Sequence, residues 1–122
     1  LPNINAALGC AQMELLHDLL TSKRDIASGY QAFFSGAEGI EFVPEPENSR
    51  SNYWLNAILL SDPGEQEEFL KFSNDNKVMT RPAWTLMNEL PMFRGSITGE
   101  IPVAIDIAGR LVNLPSSPTL KR

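Results

Sequence analysis

From Asn3 to Phe34 no proline interrupts the chain, and Ile4, Leu8, Ala11, Leu15, Leu19, Ile26, Tyr30 and Phe33 recur at the spacing of one helix face. This pattern predicts a single long helix. A second apolar row, Met13, Leu16, Leu20, Ala27 and Phe34, lies beside the first, which is more than a helix packed on one side carries. A side-chain oxygen of Asn3 or Asn5 suits the N-cap and Gly36 a left-handed stop, with Thr21-Ser22 the place where a break would fall. Roughly thirty helical residues extend about 45 Å at ~1.5 Å per residue, whereas a compact chain of this length has a radius of gyration of about 14 Å. The rod therefore overhangs its own globule, kinks, or leans on a partner chain or a further domain. Since Leu1, not methionine, opens the sequence, the chain is expected to be a piece of a larger, oligomeric protein.

The rest of the 122 residues is enough for one modest domain. With 43% hydrophobic and 20% charged residues a packed core is expected. Ten Lys and Arg against fifteen Asp and Glu give a net charge of -5, without the basic footprint of a nucleic-acid or anionic-membrane binder. No apolar run approaches the roughly 20 residues of a membrane span, and no signal peptide is visible in the first residues. A soluble, cytoplasmic protein is expected. Cys10 and His17 are the only residues of their kinds, so neither a disulfide nor a Cys/His zinc cluster is expected.

Beyond the helix, Ile40 to Val43 reads as a strand and Pro44 to Ser51 as a polar loop. Tyr53 to Leu60 reads as a buried strand and Asp62-Pro63-Gly64 as a turn. Gly64 to Asn76 reads as a helix with Phe69, Leu70 and Phe72 inward, its glutamates in the opening turns where the macrodipole favours them. Val78 to Thr80 is expected as a strand that Arg81-Pro82 ends. One or two helical turns follow from Trp84 to Leu90, then a loop from Arg94 to Glu100. Ile101 to Leu111 is expected as a helix with Pro102 in its first turn. Val112 to Leu114 is either a short strand or a turn. The fold class is α/β in the layered α+β sense: a long helix, then a three-stranded sheet with helices on it. The division falls at residue 35, with 1–35 as the linking helix and 36–122 as the small α/β domain.

Cys10 and His17, seven residues apart on one helix, stand about 10 Å apart along its axis and cannot form a catalytic pair. A Ser-His-Asp triad would need that same helical His17. Glu65, Glu67 and Glu68 read as a helix-start charge cluster. No glycine pattern completes a phosphate cradle. The stretch Met79-Thr80-Arg81-Pro82-Ala83-Trp84 is different, because it delivers a guanidinium and an indole from a segment that proline partly fixes. Arginine offers a planar fork for carboxylate or phosphate and tryptophan a flat face for a ring. The physics of the residues leaves two readings open here, a ligand clamp or a surface ion pair beside a core tryptophan. Tyr53-Trp54 divides in the same way.

The residues from Leu1 to Gly9, followed by Gln12 and Leu15, resemble the segment that opens the small C-terminal domain of the DegT/DnrJ/EryC1/StrS sugar aminotransferases. Asn52-Tyr53-Trp54, Thr80-Arg81-Pro82-Ala83-Trp84, Leu90-Pro91-Met92-Phe93 and Arg110 to Ser117 resemble that domain in order and spacing. The branch acting on nucleotide-linked amino sugars in bacterial nonulosonic acid pathways is the most similar.

The resemblance implies a pyridoxal-phosphate enzyme of fold type I, a homodimer that takes an amino group from an amino acid, usually L-glutamate, and gives it to a keto sugar on a nucleotide. It places the cofactor lysine upstream of Leu1, so no cofactor and no catalytic residue is expected on these residues, and the fragment alone is expected to be inactive. It puts Arg81, Trp84 and Tyr53 along the sugar or phosphate path. Asn88 stands where many relatives carry a histidine; it keeps a hydrogen-bonding group there but cannot carry a proton. It also implies a terminal helix beyond Arg122. The competing expectation is an independent, non-catalytic interaction module whose two-faced helix binds a protein partner.

Overall fold

Proline, not asparagine, opens the first helix. In the computed structural model, which describes residues 2–118, Pro2 is the N-cap of α1 (Asn3–Glu14), its carbonyl accepting from the Ala6 amide at 3.1 Å, and no side chain caps the helix. The fixed φ of Pro2, −58°, admits the chain to the helix one residue before Asn3, so Asn3 and Asn5 fall inside its first turns. The long helix is divided, and the break falls at Leu15, not at Thr21-Ser22. Leu15 has φ −94° and ψ −4°, and its amide reaches back only three residues, to the Gln12 carbonyl at 3.2 Å. Thr21 lies inside α2 (Leu16–Phe34), its hydroxyl donating to the His17 carbonyl one turn back, at 3.0 Å, and so turned away from competing for other backbone groups. Gly36 is not the left-handed stop: a tight turn closes from the Ala37 amide to the Phe34 carbonyl, and the left-handed glycine is Gly39, with φ 78°, at the entry to the sheet.

The sheet has four strands, one more than the sequence predicts: β1 (Ile40–Phe42), β2 (Asn56–Leu60), β3 (Arg81–Pro82) and β4 (Leu111–Leu114), in the order β1-β2-β4-β3, with every pair antiparallel. The last strand in sequence thus lies inside the sheet, pairing with β2 along its whole length. Residues 53–55 do not belong to β2. Tyr53 takes a left-handed φ of 45°, which ends any ladder there. Val78 to Thr80 is not a strand either. The Val78 amide bonds to the Ser73 carbonyl and Thr80 is held by Ser73 and Asn74, so this stretch closes α3 (Gln66–Asp75) and pairing begins only at Arg81.

Side-chain alternation sets the layers. Asn56, Ile58 and Leu60 of β2 are buried, as are Phe42, Val112 and Leu114 on the neighbouring strands, and the register places Phe42 and Val112 on either side of Ile58. α2 adds Ala27, with Tyr30 and Phe34 beside it, and α3 adds Phe69 and Leu70. Phe72 is exposed. Ser73 stands between Phe69 and Leu70 on the helix surface and takes the inward place, its hydroxyl 2.5 Å from that of Thr80. The turn at Asp62-Pro63-Gly64 forms as the sequence suggests, with the Asp62 carboxylate accepting from the Gly64 amide at 2.7 Å. α4 (Pro102–Arg110) is tied down at its end: Arg110 donates to the Leu60 carbonyl, and Gln66 donates to the carbonyls of Ala108 and Leu111. Between β3 and α4 only two short 3-10 turns form, Met87–Glu89 and Pro91–Phe93, and Trp84 lies outside both.

α1 buries none of its residues, and Ile4 keeps 80% of its surface exposed. Among the described residues no helix is long and apolar enough to cross a membrane, and no three of His, Cys, Asp and Glu gather to hold a metal.

Candidate functional site

β3 is an edge strand because Pro82 has no N–H to give a further neighbour. A side-chain tether comes from Asn113 of β4, whose amide donates to the Pro82 carbonyl at 3.0 Å. Arg81 stands on this edge, exposed, with Nη2 3.6 Å from Met79 Sδ and no carboxylate partner among the described residues. Two residues past the proline, Trp84 lays its indole against that of Trp54, ring centres 6.0 Å apart and planes 29° apart. Neither indole is in the core: 64% of Trp54 and 72% of Trp84 remains exposed. Of the two readings left open for this stretch, a surface ion pair beside a core tryptophan does not hold, since Arg81 has no carboxylate partner among the described residues and Trp84 is exposed.

Trp54 is positioned from three directions. Its amide donates to Asn52 Oδ1 at 3.0 Å, its carbonyl accepts from Lys23 Nζ at 2.9 Å, and the residue before it is anchored in the core. That residue, Tyr53, is buried, its ring 6.4 Å from Phe42 and beneath the Arg24 guanidinium at 5.6 Å. Its hydroxyl accepts from the Glu45 amide at 3.1 Å. Arg24 holds Glu45 through both carboxylate oxygens, at 2.7 and 3.1 Å, and also donates to the Ser51 carbonyl. With the Ser51 amide donating to the same carboxylate, the Arg24 charge and hydrogen bonds hold the Glu45 carboxyl at about 2. The loop from Pro44 to Tyr53 is thus clasped to α2.

The four residues singled out from the sequence fall in three places. Arg81 and Trp84 share one exposed segment. Tyr53 is buried against Phe42 and Arg24, its ring and hydroxyl both engaged. Asn88, half-buried in the Met87–Glu89 turn, lines a separate cleft of ≈ 440 Å³ with Leu86, Phe93, Ser96 and Thr98. A second cavity, ≈ 560 Å³ and almost wholly apolar, lies between α2 and α3, bordered by Ile26, Tyr30, Phe33, Phe69 and Val78. Sequence reading missed Lys23 and Arg24 as supports of the Trp54 region; two adjacent cations on a helix look like a solvated face until the fold brings the loop over them.

The α+β layer carries an exposed arginine on its edge strand and two stacked, exposed indoles, one of them near it in sequence, and the comparisons give the family to which such a chain belongs. Residues 1–122 match the DegT/DnrJ/EryC1/StrS aminotransferase family, and the chain belongs to it. It is 32% identical over 118 residues to GDP-perosamine synthase of Escherichia coli O157:H7, covering 97% of this chain and 32% of that protein. It is 28% identical over 118 residues to dTDP-4-amino-4,6-dideoxy-D-glucose transaminase of Escherichia coli, covering 92% of this chain and 32% of that protein. The chain therefore spans about a third of the length of the curated relatives it matches. Among solved structures, the fold is shared with the aminotransferase TlmJ of Streptoalloteichus hindustanus, TM-score 0.85 at 21% identity over 95% of this chain and 31% of that one. Helicobacter pylori PseC, an aminotransferase involved in the biosynthesis of pseudoaminic acid, gives 0.87 at 16% identity, over 97% and 33%.

The described residues do not themselves fit pyridoxal phosphate. Lys23 is committed to the Trp54 carbonyl, Lys71 to Asp75, and Lys77 sits in an exposed left-handed turn with φ 64°, so no described lysine borders either cavity. Lys121 lies outside the described residues.

Proposed function

We propose that this chain is the substrate-side part of a pyridoxal-phosphate-dependent aminotransferase that moves an amino group from an amino acid, L-glutamate, to the keto group of a nucleotide-linked sugar. The observation that carries the reading is the family match along the entire chain, which coincides with an exposed Arg81–Trp84 segment. The named relatives act on GDP- and dTDP-linked sugars, which agrees with a guanidinium and indoles offered together. Pyridoxal phosphate, where the parent protein binds it, supplies the electron sink for the transfer.

On this reading Arg81 pairs with phosphate, Trp84 covers a ring, Asn88 hydrogen-bonds a sugar substituent from the neighbouring cleft, and Tyr53 anchors Trp54, the residue after it. Residues 1–35 link to the domain that holds the cofactor lysine, and 36–122 form the small domain. The bare apolar face of α1, with Leu8 and Met13 exposed beside Ile4, is covered there or by the second subunit of a cytoplasmic homodimer. Alone, the chain is inactive.

The test is expression of the full-length parent with pyridoxal phosphate and glutamate. Cofactor absorbance and glutamate-dependent amination of a keto sugar on GDP, dTDP or UDP are expected. A cofactor-loaded protein that aminates none of these sugars would overturn the reading.

A further inference from the structure

We propose that Asn74 and Asn113 are positioning residues: their side-chain amides fix the backbone on either side of Arg81 and so hold its guanidinium ready for the anion it meets. The proposal rests on the reading of Arg81 above and assigns the two asparagines to it.

β3 is too short to hold itself. It has two residues, and Pro82 has no N–H, so Arg81 alone can donate from the β3 backbone to β4. The missing bonds come from side chains on two other elements. Near the end of α3, Asn74 Nδ2 lies 3.1 Å from the Thr80 carbonyl and 3.2 Å from the Thr80 hydroxyl, and Ser73 beside it meets that hydroxyl at 2.5 Å. From β4, Asn113 Nδ2 donates to the Pro82 carbonyl at 3.0 Å. The carbonyls one residue before and one residue after Arg81 are thus both taken by asparagine amides. Thr80 is 4% exposed, whereas Arg81 stands in solvent, so the segment is anchored at a buried residue and presents the next one outward.

This anchoring adds little to the core, because Asn74 is exposed, Asn113 is half-buried and neither belongs to the hydrophobic cluster. A ligand gains more from it. An arginine on a frayed edge has to be ordered when an anion arrives, and one whose backbone is already fixed loses less freedom.

The test is kinetic, in the full-length parent with glutamate and the GDP-, dTDP- or UDP-linked keto sugar that wild type aminates. Asn74→Leu and Asn113→Leu remove the amide and keep the size of the side chain. Each is expected to lower kcat/KM for the sugar nucleotide by about three- to ten-fold, chiefly through KM, the scale of one hydrogen bond. The glutamate half-reaction is expected to keep its rate. In an Arg81→Ala background the same substitutions are expected to cost nothing further, because a positioning residue has no effect once the residue it positions is gone. Asn113→Gln restores a donor on a longer arm and recovers part of the loss. Unchanged turnover in both leucine variants overturns the proposal, as do losses that persist undiminished beside Arg81→Ala or an equal fall in the glutamate half-reaction. Asn74 also bonds the Leu70 carbonyl within α3, so if Asn74→Leu does not fold, the Asn113 variants decide alone. Arg81→Ala with sugar-nucleotide turnover intact removes the reading of Arg81 and this proposal together. A loss at Arg81 with additive losses at the asparagines removes this proposal alone.

Discussion

Arg24 grips Glu45 through both carboxylate oxygens while its guanidinium lies over the ring of Tyr53. The pair is partly exposed, yet it fastens a ten-residue loop to α2, because the same carboxylate accepts from the Ser51 amide and the Tyr53 hydroxyl accepts from the Glu45 amide.

The Glu45 carboxyl, held down from 4.5 to about 2, links this clasp to pH. A carboxylate with a depressed folded-state pKa contributes stability that is fully present above its unfolded value and is lost as pH falls through the folded one. Thermal melting of wild type and Glu45→Gln is expected to differ at neutral pH, with wild type higher. The gap closes as the pH falls from about 4.5 toward 2. A gap that stays constant across that window would assign the effect to shape and not to charge.

Ser116 supports the buried end of β2. Its hydroxyl accepts from the Asn56 amide at 2.8 Å and from the Asn56 side chain at 3.1 Å, and it donates to the Leu114 carbonyl. Asn56 Oδ1 has no partner among the described residues, so this site tolerates little further loss. Ser116→Ala leaves two buried donors without acceptors and is expected to cost about 1–3 kcal/mol. Denaturant unfolding reads the difference directly, and a loss below a few tenths would mean that water takes the hydroxyl's place.

Much of this fold was legible because its periodicities are local. A strand ending at Leu60, though it begins at Asn56 and not at Tyr53, Pro102 in the first turn of a helix and the turn at Asp62-Pro63-Gly64 all appear as the residues suggest. What escaped was set by partners distant in sequence. β4 is four residues long and becomes a strand only because β2 lies beside it. Thr80 looks like a strand residue, but the hydroxyl of Ser73 claims it for the end of α3. The break at Leu15 carries no glycine or proline to announce it. In the candidate site, Arg81 and Trp84 were visible from their dipeptide chemistry with Pro82. The stack of Trp84 on Trp54 joins residues thirty positions apart and could not be read from spacing.

The helices divide sharply in what they contribute to the isolated chain. α1 buries nothing, while Ala27 of α2 is 2% exposed against the sheet. Ile4→Lys with Leu8→Lys is expected to leave the unfolding free energy within about 0.5 kcal/mol of wild type. Ala27→Leu forces a larger side chain into a packed site and is expected to cost about 1–3 kcal/mol. In the full-length protein the lysine pair should instead disturb assembly, seen as a change in sedimentation. A destabilised isolated chain would show that α1 folds back onto the core.

Arg81 tests which half of the proposed reaction this domain serves. Its guanidinium touches no carboxylate among the described residues, so removing it breaks no ion pair there and leaves the sheet register, set by backbone pairing of β3 with β4, in place. The expected result of Arg81→Ala in the full-length enzyme is a fall of about ten-fold or more in kcat/KM for the sugar nucleotide, the scale of one lost charge-assisted hydrogen bond. The glutamate half-reaction, followed separately by the change in cofactor absorbance in single-turnover mixing, is expected to keep its rate. Lysine at the same position restores the charge but not the planar fork, and recovers only part of the loss. Equal losses in both half-reactions would place Arg81 at the cofactor or in folding, and not on the sugar-nucleotide path.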